Sequence, residues 1–366
     1  MGRQWTAELG ERDAVHEVYL VTHKAMPLSK NGKPYLSLTL TDRTGSIDAR
    51  VWDNVSKMSG RFEDADFVRV KGNTVLYQER LQLHVQNLER MDESAVSPTD
   101  YLPRTNLPPE TLWSDLTALL RSVESPHLRR LLDRVLGDGP FVEAFQRVPA
   151  GKSIHHARLG GLVEHSLSVC RLVDATCAAY SVAYPNLLDR DLLITAAFLH
   201  DAGKTLELST DRRFEYTDAG RLVGHIVLGL GLVSDHLDLL EDFPADLALH
   251  LRHLLLSHHG ELDHGSPKRP KTAEAWVLHH MDLLDCRLDQ TADLVANLPP
   301  GGWTPYQKLH ERYFWRGHDR GADSNSVSVS VSDADADANA DADADADRDT
   351  TGAPPAGPAV TPGKAS

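Results

Sequence analysis

Several things are scarce in this chain. It has only 3 cysteines in 366 residues (Cys170, Cys177 and Cys286), and none forms a C-x-x-C pair. A disulfide framework is excluded, and thiolate zinc or thioredoxin-like chemistry is argued against. No run of about 18 uncharged apolar residues exists, so no helix is expected to span a membrane. The opening residues, MGRQWTAELGERD, carry no apolar core of a secretory signal, so a cytoplasmic location is expected. Positive charge is also short, with 38 Lys+Arg against 53 Asp+Glu and a net charge of −15. Nine acids and two bases from Asp323 to Ser366 account for −7 of this, leaving −8 for the rest. A chain this acidic does not bind polyanions through bulk electrostatics, so nucleic-acid binding would need a local basic face or a metal site.

What is present is a real core and many histidines. The 41% hydrophobic content is ample for globular domains, and the length suits two or three of them. Residues 14–90 alternate apolar and polar positions in five short runs separated by Gly, Asn and Asp turns, which predicts a small barrel or sandwich. Residues 96–109 lack periodicity, contain Pro103, Pro108 and Pro109, and read as a linker. From residue 110 the apolar spacing changes to 3.6, as in Leu112, Leu116, Leu119, Leu120 and then Leu128, Leu131, Leu132, Val135. Helical patterning is expected to about Trp315, closing a domain at 110–318. Residues 319–366 are low complexity, run through DADADAD and lack aromatics, so this tail is expected to be disordered.

The helical half places His and Asp in a spaced series. His155-His156 lie in SIHHARLGG and His165 in GLVEHSLSV. His200-Asp201 end the apolar run AAFLHDAGK, His225 opens GHIVLG, His258-His259 close LLSHHG, and Asp282 lies in HHMDLLD. Imidazoles and carboxylates are ligands for Mn, Fe, Co, Ni, Zn or Mg, and helices can project them into one pocket. A His-Asp pair at the end of an apolar run is costly unless bound or paired. Lys204 falls within a helical turn of that pair.

The order H…HD…H…HH…D, with HDAGK intact, resembles the HD superfamily of metal-dependent phosphohydrolases. HHARLGGLVEHSLSV, LHDAGK, GHIVLG, LSHHGELDHGSPKRP and AEAWVLHHMDLLD are similar, in order, to the YhaM-type 3′→5′ exoribonucleases. NGKPYLSLTLTDRTGSIDARVWD resembles that family's OB domain, so residues 1–95 are expected to form an OB-like nucleic-acid-binding barrel ahead of an all-α HD domain. The resemblance implies that His165, His200, Asp201 and Asp282 hold a metal. It also implies that Asp201 bridges to a second ion held by His225, His258 and His259, with Mn²⁺ favoured. Asp285 competes with Asp282, since acids three apart share a helix face; the family's D-x-L-D unit favours Asp282.

Cleaving a phosphodiester requires an activated water, neutralised phosphoryl charge and a stabilised leaving oxygen, which two ions about 3.5–4 Å apart can supply. Asp201 and Lys204 are therefore the catalytic candidates, and replacing Asp201 with Ala is expected to abolish activity with the fold intact. His155, His156, Lys268 and Arg269 are candidate substrate contacts; His156 and its neighbour equally suit a supporting role behind the ligands. On the barrel, Tyr35, Trp52, Phe67 and Tyr77 could stack bases, beside Lys33, Arg50, Lys71 and Arg80. Tyr35 and Phe67 also fit core positions. The implied substrate is single-stranded RNA, with single-stranded DNA as a second substrate. The rival readings are a hydrolase of free or cyclic nucleotides and a non-catalytic OB-fold binding protein. The sequence does not reveal the oligomeric state.

Overall fold

The computed structural model describes residues 3–78, 80–210 and 213–319, so the tail expectation falls almost wholly outside the described residues. The alternating runs become β1 (Ala14–Ala25), β2 (Leu36–Asp42), β3 (Gly45–Val51), β4 (Phe67–Tyr77) and β5 (Arg80–Arg90), with a short helix α1 (Val55–Ser59) between β3 and β4. They close into a barrel of order β1-β2-β3-β5-β4. All neighbours are antiparallel except β3 and β5. Period-2 alternation is what closure requires: Leu36, Leu38 and Leu40 point inward from β2, opposite Ile47, Ala49 and Val51 of β3. A bulge at Lys71/Gly72 bends β4 where a Cβ on Gly72 would lie 2.3 Å from the His84 carbonyl oxygen.

The helical domain follows as α2 (Pro109–Leu120), α3 (Pro126–Leu136), α4 (Gly139–Arg147), α5 (Gly161–Tyr180) and α6 (Arg190–Leu199). After these come α7 (Lys204–Glu207), a two-residue ladder of β6 (Leu208–Ser209) with β7 (Glu215–Tyr216), and α8 (Asp218–Leu222). The last helices are α9 (His225–Asp238), α10 (Ala245–Ser257) and α11 (Ala273–Val295). Helix α6 is buried from Leu192 to Leu199, the signature of a helix surrounded by others. It starts at a defined point because Asp189 accepts a hydrogen bond from the Leu192 amide. Thr272 caps α11 through the Ala275 amide in the same way. No helix among the described residues is long and apolar enough to cross a membrane.

One expectation needs correction. Helical structure ends at Val295, not near Trp315. Residues 299–317 instead pair back on themselves, with bridges Trp303–Trp315 and Gln307–Arg312. Pro299, Pro300 and Pro305 remove helical donors, and Gly301 takes φ +74°. On the barrel, Phe67 is buried against Tyr101 with ring centroids 4.8 Å apart, the core position that its sequence pattern also allows. Trp52 is exposed and stacks on Tyr35 at 4.6 Å, with His84 edge-on at 6.5 Å.

Candidate metal centre

Two helix ends aim two imidazoles inward by the same local device. His200 follows the last turn of α6 and donates its Nδ1–H to the Ala197 carbonyl at 2.8 Å. His258 follows α10 and donates to the Leu255 carbonyl at 2.8 Å. Each bond satisfies a terminal carbonyl of its own helix and turns Nε2 toward the interior. His225, the first residue of α9, has Nδ1 3.2 Å from Glu207 Oε1, and His259 has Nδ1 3.0 Å from the His264 carbonyl oxygen. His165 of α5 has Nδ1 2.7 Å from Asp285 Oδ2. In all five, Nδ1 is engaged and Nε2 is left for the centre.

Those nitrogens form two donor groups. His165, His200 and Asp282 lie within 4.8 Å of one another, as do His225, His258 and His259. Asp201 stands between them with its oxygens divided. Oδ2 lies 3.6 Å from His165 Nε2 and 3.5 Å from His200 Nε2. Oδ1 lies 3.4 Å from His225 Nε2 and 3.8 Å from His258 Nε2. Asp201 Oδ1, His225 Nε2 and His258 Nε2 are all buried with no hydrogen-bond partner. Each such orphan costs about 1–3 kcal/mol. Three orphans converging on one point fit a cation, and the donor set of imidazole nitrogens and carboxylate oxygens suits a divalent transition metal.

The electrostatics point the same way. Burial pushes the His165 imidazole down, but its hydrogen bonds to Asp282 and Asp285 push it up to about 10. Carboxylates that favour positive charge on this ring also favour a cation beside its Nε2. Burial lowers His200, His258 and His259 further from protonation, leaving them neutral and able to ligate. Burial opposes ionisation of Asp201, yet the Lys204 ammonium and the surrounding imidazoles hold its carboxyl well below the usual carboxylate range. Burial and Asp282 raise the Cys286 thiol, so it contributes no thiolate.

Asp282 and Asp285 meet opposite nitrogens of the His165 ring. Asp282 Oδ1 faces His165 Nε2 at 3.2 Å, the metal side, whereas Asp285 grips Nδ1 on the far side of the same ring. Asp285 also meets His156 Nε2 at 2.8 Å, and His156 Nδ1 is 3.1 Å from Glu164. His156 therefore sits in the network behind the ligands. Arg158 closes that network with Glu164 at 2.7 Å and Asp289 at 2.5 Å.

A cavity of about 310 Å³ opens onto the centre, with Asp201, Asp282, His259, His155 and Lys204 in its wall. Burial lowers His155 to about 3, so this histidine faces the cavity neutral. Lys204 is buried; it donates to the Ala150 carbonyl and lies 3.1 Å from Asp201 Oδ2. Its charge thus acts first on Asp201. Lys268 and Arg269 are not in the cavity wall, and Arg269 pairs with Glu261 at 2.8 Å. Sequence reasoning missed Glu207, which orients His225, and Arg287, which lines the cavity. Arg287 was findable: His279, Asp282, Leu283, Cys286, Arg287 and Gln290 follow the 3–4 spacing of one helix face.

Close backbone approach brings α9 to this centre. A Cβ on Gly203 would lie 2.0 Å from the His225 carbonyl oxygen and 2.5 Å from the Gly229 nitrogen. Gly203→Ala is therefore expected to destabilise the protein by about 1–3 kcal/mol through overpacking. It should also displace His225 and weaken metal affinity. A melt and a metal titration matching wild type would contradict this.

A closed five-stranded barrel ahead of helices that converge an H…HD…H…HH…D donor set defines a nucleic-acid-binding protein with a metal-dependent phosphohydrolase centre. Residues 16–91 match the OB-fold nucleic acid binding domain family, and residues 162–286 match the HD domain family. The chain is 32% identical over 298 residues to the 3′-5′ exoribonuclease YhaM of Bacillus velezensis, covering 81% of this chain and 92% of that protein. It is 31% identical over 311 residues to the Geobacillus sp. 3′-5′ exoribonuclease YhaM, covering 84% and 93%. The chain belongs to the YhaM family of 3′-5′ exoribonucleases.

Proposed function

We propose that this protein shortens single-stranded RNA from its 3′ end by hydrolysis, releasing nucleoside 5′-monophosphates, with single-stranded DNA as a second substrate. The observation that carries the reading is the division of the Asp201 carboxylate between two imidazole groups. We assign His165, His200, Asp201 and Asp282 to one divalent ion, and Asp201, His225, His258 and His259 to a second, with Mn²⁺ favoured. When bound, such ions neutralise phosphoryl charge and supply a nucleophilic water at neutral pH.

The chain's own residues do the rest. Asp285 holds the His165 ring through Nδ1, and Glu207 does the same for His225. Lys204 keeps Asp201 ionised and placed. His155 is neutral and open to the cavity, where it can hydrogen-bond a terminal phosphate or sugar. On the barrel, the exposed Trp52, stacked on the half-buried Tyr35, offers a face for upstream bases.

A 5′-labelled single-stranded RNA incubated with Mn²⁺, Mg²⁺ or EDTA tests this directly. A ladder shortening from the 3′ end in metal and absent in EDTA is expected. RNA left intact in every metal would overturn the reading, and a panel of free and cyclic nucleotides would then identify the substrate.

A further inference from the structure

Aromatic residues are scarce in this chain, yet five of its 23 lie within residues 303–315 (Trp303, Tyr306, Tyr313, Phe314 and Trp315). They belong to the extended strap at 299–317, outside the span of the HD family match. Its backbone is ordered by its own hydrogen bonds. The Arg316 amide donates to Gly302, the Thr304 amide to Phe314 and the Gln307 amide to Arg312, each at 2.9 Å. Thr304 is buried, and its Oγ1 accepts from the Phe314 amide. Arg316 ties the strap to the end of α11 by donating to the Val295 and Ala296 carbonyls at 2.7 and 2.8 Å.

Phe314 is half-buried against His310, but the other four rings of the strap stand exposed. Trp303 is 62% exposed and Trp315 50%, with their rings stacked across the strap at 6.3 Å. Tyr306 and Tyr313 are 48% and 58% exposed and meet edge to face at 5.2 Å. Large rings held in register but left in water are an unusual use of apolar surface, and such patches mark binding sites. Over residues 299–317 the strap also reverses the chain's charge balance, with Lys308, Arg312 and Arg316 against Glu311 alone.

The strap is continuous with the catalytic cavity. Leu309, near its tip, is part of the cavity wall, and the adjacent His310 Nδ1 is 3.2 Å from a guanidinium nitrogen of Arg287, which lines the same wall. We infer that the strap is a stacking platform for the nucleotides of single-stranded RNA just upstream of the 3′ end, delivering that end to the metal centre. The chemistry matches the occupant. Exposed π-faces accept any base, and interleaved cations meet the phosphates. A base-tolerant grip is what stepwise removal of successive nucleotides requires. The inference rests on the exoribonuclease reading and adds a second platform to the barrel's.

The test uses the full-length protein with Trp303→Ala and Trp315→Ala combined. Affinity for a fluorescein-labelled oligouridine of about six nucleotides is read by anisotropy in EDTA, where no turnover occurs, and kinetics are then read in Mn²⁺. Loss of base stacking should weaken hexamer binding and raise its KM by about 10-fold or more, with kcat on a dinucleotide unchanged. The Trp→Phe pair should retain most of the affinity, which a purely structural role for indole would not allow. In wild type, 5-iodouridine placed near the 3′ end should photocross-link to the strap, a readout that holds even if the alanine variant folds poorly. Hexamer affinity within about twofold of wild type in the alanine variant would overturn the proposal. So would cross-links confined to the barrel. Dissociation of an oligomer with unchanged RNA affinity would assign the strap to a contact between copies of this chain instead. Because binding is measured without turnover, it judges the strap even if no metal supports RNA hydrolysis, a failure that would count against the exoribonuclease reading alone.

Discussion

Asp201→Asn is expected to lower RNA hydrolysis by about 10³-fold or more, the largest effect of any single change in this chain. The side-chain shape is kept. What changes is that one oxygen of the divided carboxylate becomes an NH₂ group, which has no lone pair to offer a metal. Whichever way the amide turns, either the His165/His200 side or the His225/His258 side faces an NH₂ group where the proposed assignment needs a shared ligand. The structure also shows why Asn is a cleaner test than the Ala suggested by the sequence. Lys204 is buried, and its ammonium lies 3.1 Å from Asp201 Oδ2. Both variants remove the counter-charge of Lys204, but Ala also leaves a cavity and takes away a hydrogen-bond acceptor, whereas Asn keeps an amide oxygen within reach of the ammonium. A second measurement separates lost catalysis from lost metal binding. Wild-type melting temperature should rise as Mn²⁺ is titrated, since a ligand at 100 times its Kd stabilises by about 2.7 kcal/mol. The Asn variant should show a flattened titration. Full activity with a wild-type titration would sink the assignment of Asp201.

Asp285→Ala is expected to weaken metal affinity by about 10- to 100-fold while leaving much of the rate recoverable at high metal concentration. Asp285 does not face the metal side of His165. Its Oδ2 receives His165 Nδ1 and His156 Nε2, and Ser168 donates to its other oxygen. Burial disfavours this carboxylate's charge, but the hydrogen bonds from His156 and His165 keep it ionised far below the usual range. Without it, the His165 ring can rotate and change tautomer, so the apparent affinity falls before the chemistry does. Asp282→Ala removes a donor that faces His165 Nε2, and saturating Mn²⁺ should not restore its rate. Metal titrations of the two variants side by side distinguish them. If Asp285→Ala resists rescue and Asp282→Ala responds, the roles assigned to these two acids are reversed.

The acids on α11 illustrate how far the sequence could be read. Asp282 and Asp285 share one helix face, so spacing admits both and cannot rank them. Their difference arises because α5 packs against α11 and places one imidazole between them, Nε2 toward one acid and Nδ1 toward the other. Glu207 was invisible for a similar reason. It follows Lys204 by three residues, and nothing local announces that it will meet the first residue of α9. Lys268 and Arg269 read as a basic entrance because they are cations in a Gly/Pro loop. In the fold Arg269 pairs with Glu261 at the surface. The strap was read as helical because its apolar residues recur frequently, and periodicity in so short a segment does not separate 3.6 from 2.

Two kinds of information are therefore distinct in this protein. The residues alone determined the two-part architecture, through the change from period 2 to period 3.6. They also marked His200-Asp201 as a pair in need of a partner, because ionisable groups at the end of an apolar run are costly unless bound or paired. Those are local properties of backbone geometry and solvation, and they survive reading in one dimension. Which nitrogen of each ring faces inward, which acid meets which side of His165, and which aromatic rings remain in water were decided only in three dimensions. The His165 ring depends on a partner 120 residues away, Asp285, whereas carbonyls of their own helices turn His200 and His258, and it is packing that brings all of these rings together. Hydrogen bonds and burial act on distance in space, and only the packed helices bring those groups within range.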